Sequence, residues 1–181
     1  MEKNTFSQEL EVFLEKQLER TNFWLSFAEA KNAALLAFNI AILAFVVGFQ
    51  KDFPILSTLS MIVFIFSSLI CLWSFYPKEP KCPIVDTKRK KDNKKENKLN
   101  NFLYWKTIAH IETTEKFIDK VVVRYFPDQT VDGIKSELYN DLAQEIIDNS
   151  RVAKSKYELF SLAIRIDFLA FFLSIILLIV A

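Results

Sequence analysis

The sequence predicts an all-α membrane protein: three transmembrane helices with long cytoplasmic helical extensions that form a small helical bundle. Three observations carry this. Asn32–Phe49 and Phe53–Tyr76 hold no charged residue and are parted only by Gln50-Lys51-Asp52. Leu159–Ala181 is a third long apolar run. Elsewhere apolar residues recur at helical spacing, with only Gly48, Gly133 and five prolines to interrupt 181 residues. At about 1.5 Å per residue, runs of about 18 and 24 residues bracket a hydrocarbon core of about 30 Å. Backbone in lipid must satisfy its own hydrogen bonds, and so few strands cannot close a barrel. The first two runs are therefore an up–down helical hairpin.

Composition narrows the function. The chain is 51% hydrophobic yet 25% charged, so its charges belong to a separate, water-facing part. With two glycines, phosphate-cradling and dinucleotide-binding loops are nearly excluded. Cys71 lies in the second run and Cys82 in a Lys- and Pro-rich stretch; both read as free thiols, with no metal or disulfide spacing. The single histidine, His110, does not share a helix face with Glu112 and reads as a lone bundle residue. No serine or cysteine elbow and no carboxylate pair with an adjacent base is present. The expectation is a non-enzyme without cofactor, catalytic residue or metal.

Residues 1–31 read as a cytoplasmic amphipathic helix. Phe6, Leu10, Phe13, Leu14, Gln17, Leu18 and Phe23 mark one face, and Glu11, Glu15, Lys16, Glu19 and Arg20 the other. Thr5 or Ser7 can cap its start. These polar and amphipathic residues do not read as a signal peptide. No breaker precedes the first span, so one helix should run to about Phe49, with Trp24 and Phe27 at the lipid–water boundary. The transmembrane hairpin is 32–76, with spans 32–49 and 53–76.

Residues 77–98 are a Lys-rich cytoplasmic linker. It reads either as a polybasic patch for anionic lipid or nucleic acid, or as a topology signal and solvated spacer. It lacks the interleaved aromatics on which bases would stack, which argues against a nucleic-acid partner. Residues 99–158 form a cytoplasmic helical region. Leu103, Trp105, Ile108, Ile111, Phe117, Ile118, Val121 and Val122 predict one helix over Leu99–Phe126, although Val121-Val122-Val123 also suits a strand. Phe126–Gly133 is a turn. A last helix starts near Val131–Ser136, with Leu138, Leu142, Ile146, Ile147 and Val152 on its stripe, and runs unbroken into the third span, 159–181.

Lys and Arg set the orientation. The hairpin loop holds only Lys51, and the segment between the second and third spans holds most of the rest. The N-terminus and 77–158 therefore face the cytoplasm of a bacterial inner membrane, and the C-terminus faces outward. The third span carries Arg165 and Asp167. With Ala181 at the far interface, Arg165 lies only about 6 Å inside the near edge of a core of about 30 Å. There it can snorkel. The shorter Asp167 cannot reach as far, and it is expected to face another helix or Asn39 of the first span; a purely snorkelling pair is the alternative.

Three blocks carry a family likeness. Ala28-Glu29-Ala30-Lys31-Asn32-Ala33-Ala34-Leu35-Leu36-Ala37-Phe38-Asn39 resembles the opening motif of the transmembrane effectors of Pycsar antiphage systems, roughly A-D-x-K-A-x-x-L-L-x-x-N. Asn101-Phe102-Leu103-Tyr104-Trp105-Lys106-Thr107-Ile108 is similar to their N-L-L-F-F-G-x-I. Asp141–Ile146, Asn149-Ser150, Lys156-Tyr157 and Ala163 are similar to D-L-x-x-Q-I-x-x-N-S with the K-[YF] and A that follow. Glu29, Lys106 and Glu145 depart from the usual Asp, Gly and Gln. The resemblance implies a sensor for a cyclic pyrimidine mononucleotide, cCMP or cUMP, made by a partner cyclase. Binding would make the protein oligomerise or rearrange and impair the membrane.

Such a ligand is a mono-anion with a flat base and wants cations, amide or hydroxyl partners and an aromatic face. Lys31, Asn101, Tyr104, Asn149, Arg151, Lys154 and Lys156 are the candidate ligand-binding residues. Lys31 and Lys156 also fit as ordinary interfacial anchors. Three spans enclose little space, so a homo-oligomer in the lipid bilayer is expected. A ligand-independent small channel and a membrane scaffold or adaptor are the competing readings.

Overall fold

The computed structural model describes residues 2–77, 101–129 and 137–180. The Lys-rich linker beyond Pro77 and the expected helix start near Val131–Ser136 lie outside these residues. The regular elements are α1 (Glu2–Val47), α2 (Pro54–Ser74), α3 (Trp105–Ile108), α4 (Thr114–Tyr125) and α5 (Glu137–Val180). No strand occurs among the described residues, and Val121–Val123 belong to α4. The absence of a breaker before the first span makes α1 one helix of 46 residues, and α5 likewise runs for 44. The polar break becomes a turn over 48–52, after which Pro54 opens α2 at the one position where its missing N–H costs nothing. At 21 residues, α2 is about 31 Å long, which matches a bilayer core.

The chain divides into two compact units, Met1–Leu25 with Lys78–Lys154, and Ser26–Pro77 with Ser155–Ala181. α1 and α5 each contribute to both.

In the first unit, α1, α4 and α5 surround a core of Phe6, Leu10, Leu14, Phe117, Val121, Val122, Ala143, Ile146 and Ile147, closed by Phe102, Ile108 and Ile111. Phe126 packs edge-on to Phe6 and Phe13. Gln17, buried in this face, donates to the Leu103 carbonyl at 3.3 Å and fixes the 101–104 segment to α1. Two expectations are corrected here. Leu99–Phe126 is not one helix: α3 is a single turn, and residues 109–113 are non-helical before α4. The cause is local, because the Thr113 hydroxyl accepts from the Lys116 N–H and caps a new helix start. The buried stripe of α5 is also offset: Tyr139 and Ala143 are buried, whereas Leu138 is exposed and Leu142 partly so.

The second unit packs three helices that are long and apolar enough to cross a membrane. Its large apolar side chains point outward, among them Phe45, Ile62, Phe66, Leu69, Phe168 and Phe172. Water would not tolerate such a surface, and lipid does. Its interior is made mainly of small and polar residues, with Val46 and Phe64 the large apolar exceptions. On α2 the buried positions are Ser57, Ser60, Phe64, Ser67, Cys71 and Ser74, alternating by three and four. That seven-residue period is the signature of left-handed knobs-into-holes packing, and the small side chains let backbones approach closely.

Candidate functional site

Two polar constellations stand out, one in each unit. In the membrane unit, α1 places Glu29, Asn32 and Asn39 on the packed face, α2 places Ser67 and Ser74, and α5 places Lys156 and Asp167. Lys156 is only 7% exposed. Its ammonium pairs with Glu29 Oε1 at 3.0 Å and donates to the Ser74 carbonyl at 2.9 Å, so one side chain ties all three helices. The Asn32 amide donates to the Ala28 carbonyl at 2.9 Å and to the Lys156 carbonyl at 3.4 Å. Lys31 takes another course and lies over the rings of Phe27, Tyr157 and Phe160, at 4.7, 5.5 and 5.6 Å. Such a cation–π cage holds a lysine in mid-helix without a carboxylate.

Further along the same helices, Asn39 Nδ2 donates to Ser67 Oγ at 3.2 Å, and Ser67 Oγ donates to the Ala163 carbonyl at 3.3 Å. Asn39 and Ser67 face Asp167, which is buried. Ser67 gives its proton to the backbone and Asn39 gives one of its two N–H groups to Ser67, and neither Asp167 oxygen receives a hydrogen bond of normal geometry. Arg165, two residues earlier, is exposed.

In the first unit, one face of α5 meets the non-helical segment before α4. Arg151 donates to the Ile111 carbonyl at 2.7 Å and pairs with Asp148 at 3.2 Å, both partners on its own side of the bundle. Lys154 Nζ lies 3.4 Å from His110 Nε2. Asn149 donates to Asn22 Oδ1 on α1 at 2.8 Å. Two cations and an imidazole therefore converge where α5 crosses residues 110–111. Asn101 accepts from the Leu103 N–H at 3.0 Å and acts as a turn cap, while Tyr104 packs against Trp105. At the start of α4, the Lys116 ammonium bonds Glu112 and holds its carboxyl below the usual carboxylate range.

The seven candidate ligand residues thus divide. Arg151 and Lys154 share one face and Asn149 stands on the next; Asn101 and Tyr104 belong to the same unit, and Lys31 and Lys156 to the other. Sequence reasoning did not select Glu29, Ser67, Ser74, Asn22 or His110 as site residues. The seven-residue spacing of Ser60, Ser67 and Ser74 was the signal available for two of them. Groups of His, Cys, Asp and Glu able to hold a metal are absent among the described residues.

The residues behind the family likeness are the ones that meet: Glu29 with Lys156, Lys31 with Tyr157, and Asn39 through Ser67 with Ala163. No match was found among curated proteins or among solved structures. The family model for the Pycsar effector protein domain matches residues 13–181, nearly the whole chain. The chain belongs to the Pycsar effector family.

Proposed function

We propose that this protein is a bacterial inner-membrane effector that a cyclic pyrimidine mononucleotide, cCMP or cUMP, switches on. The general role in cyclic-nucleotide antiphage defence comes with the family. On this reading a partner cyclase makes the ligand during infection. The effector then oligomerises or rearranges its spans, and the membrane fails, with growth arrest or death. It performs no chemistry of its own. The N-terminus and 77–158 face the cytoplasm and the C-terminus faces outward, in keeping with the Lys and Arg distribution.

The observation that supports a nucleotide most is the convergence of Arg151, Lys154 and His110. A cyclic phosphate is a mono-anion, and a pair of cations suits it, with the His110 ring accepting from Lys154 and holding that ammonium in place. Arg151 is already held by Asp148 and Ile111, so it is pre-organised and little side-chain entropy is lost on binding. Because α5 continues from this face into its span, a ligand that draws α5 and residues 110–111 together shifts the helix that carries Lys156 and Asp167. A ligand does this only by its differential affinity for the two arrangements.

The competing reading, a constitutive channel or scaffold, draws on the unpaired polar atoms in the spans, Asn32 Oδ1, Asn39 Oδ1 and Ser60 Oγ among them. Calorimetry on the full chain in nanodiscs separates the two. Binding of cCMP or cUMP, at least tenfold tighter than cAMP and weakened at least tenfold by Lys154→Glu, is expected. No binding of either pyrimidine nucleotide to folded protein overturns the proposal.

A further inference from the structure

Asp167 is 4% exposed, and although Asn39 and Ser67 face it, neither of its oxygens accepts a hydrogen bond of normal geometry among the described residues. It lines a groove between α1 and α5, with Leu35, Phe38, Ile164, Phe168 and Phe171, of about 250 Å³. Phe38, Phe168 and Phe171 are exposed, so the groove opens on the lipid-facing surface. Asp167 therefore forms part of the floor of an apolar slot wide enough for a long side chain, with its oxygens just beneath that floor. Two residues away, Arg165 is exposed and makes no ion pair or hydrogen bond among the described residues.

At 100° per residue the two charges point about 200° apart on α5, and they differ by only about 3 Å in height. They cannot meet within one copy. A second copy related by rotation about the membrane normal keeps every residue at its depth, and then Arg165 and Asp167 face each other across the contact. Ionisable residues in spans pair with one another where they can. We infer that copies of this chain associate side by side in the membrane, Arg165 of each entering the α1–α5 groove of the next and pairing with Asp167 there. Opposite faces of α5 are used, so the contact is head-to-tail rather than two-fold, and such a contact closes into a ring when its rotation permits. This deepens the oligomerisation part of the proposed function and names its interface.

The test uses full-length protein with Cys71→Ser and Cys82→Ser. Two differently tagged chains, Leu169→Cys (one turn beyond Arg165) and Phe171→Cys (one turn beyond Asp167, in the groove), are co-expressed with both charges kept and treated in membranes with a short bis-thiol-reactive linker, because the two Cβ atoms across such a contact are too far apart for a disulfide. Cross-linking of the two tags to each other, at least tenfold above either chain with itself, is expected. In parallel, native mass measurement should show assemblies lost in Arg165→Gln and in Asp167→Asn and recovered in Arg165→Asp/Asp167→Arg. Dominant 169–169 linking, absent 169–171 linking with both chains inserted, or assemblies unchanged in Arg165→Gln overturns the interface. Specific 169–171 linking in a protein that binds no cyclic nucleotide keeps the interface and removes the nucleotide reading. Nucleotide binding without such linking, with and without ligand, does the reverse.

Discussion

Glu29 and Lys156 allow the sharpest test of the packed spans. Lys156 is nearly buried, with a side chain 8% exposed, while Glu29 is 47% exposed, and their charges stand 3.0 Å apart. At an effective dielectric of about 20, the attraction is about 5 kcal/mol. Desolvation of the ammonium offsets much of it, and the half-hydrated carboxylate is screened, which leaves a net coupling of about 1–2 kcal/mol. The single changes should therefore be unequal. Lys156→Met removes the charge with little loss of volume and should cost about 1 kcal/mol, mainly the bond to the Ser74 carbonyl. Glu29→Ala leaves a buried ammonium with one carbonyl for company and should cost about 2 kcal/mol. The double variant should be little worse than Lys156→Met alone. Unfolding in mixed micelles, followed by circular dichroism, gives the cycle. Costs that add within about 0.5 kcal/mol would refute the reasoning, because independent sites behave that way.

Other perturbations follow from the same geometry. Ser67→Ala removes the acceptor of Asn39 and the donor to Ala163, and should cost about 1–2 kcal/mol in the same unfolding assay. Thr113→Val deletes the cap of α4 and should cost about 1 kcal/mol, seen as faster hydrogen exchange at the Lys116 amide than at the α4 centre. Glu112 titrates below its ordinary value because Lys116 bonds it, so that favourable contact is present above the ordinary carboxylate range and is lost as pH falls through the lowered value. Lys116→Met should move the Glu112 carbon resonance midpoint up, and because the pair is exposed, global stability should barely change. Asp167→Leu should abolish growth arrest on co-expression with a pyrimidine cyclase while the protein still inserts.

Much of the fold could be read because lipid enforces a simple rule. Uncharged runs of spanning length, parted by Gln50-Lys51-Asp52, leave no choice but a hairpin, and the lack of a breaker before Asn32 or Leu159 predicts helices that run on. The interruption at 109–113 was harder. Apolar spacing continues across it from Ile108 to Phe117, and the signal against a helix is the Thr113 cap, which competes with the backbone locally. The face of α5 was read correctly at Ile146 and Ile147, which are buried, but missed Tyr139, Ala143 and Ala153, because a buried alanine carries little hydrophobic signal. The site was less legible still. Lys156 reads in isolation as an interfacial anchor, and its burial depends on Glu29 and Ser74, which no local pattern places beside it. Asp167 was singled out by cost alone, since a carboxylate in a span is rarely without a role.

The central claim is that a cyclic pyrimidine mononucleotide converts this membrane protein from a quiet to a damaging state. Dye-loaded liposomes carrying the purified chain test it most directly. cCMP or cUMP should trigger rapid dye release, cAMP should not, and Lys154→Glu should abolish the response. Release of the same extent without any nucleotide, or none with either pyrimidine nucleotide in liposomes of correctly inserted protein, would contradict it.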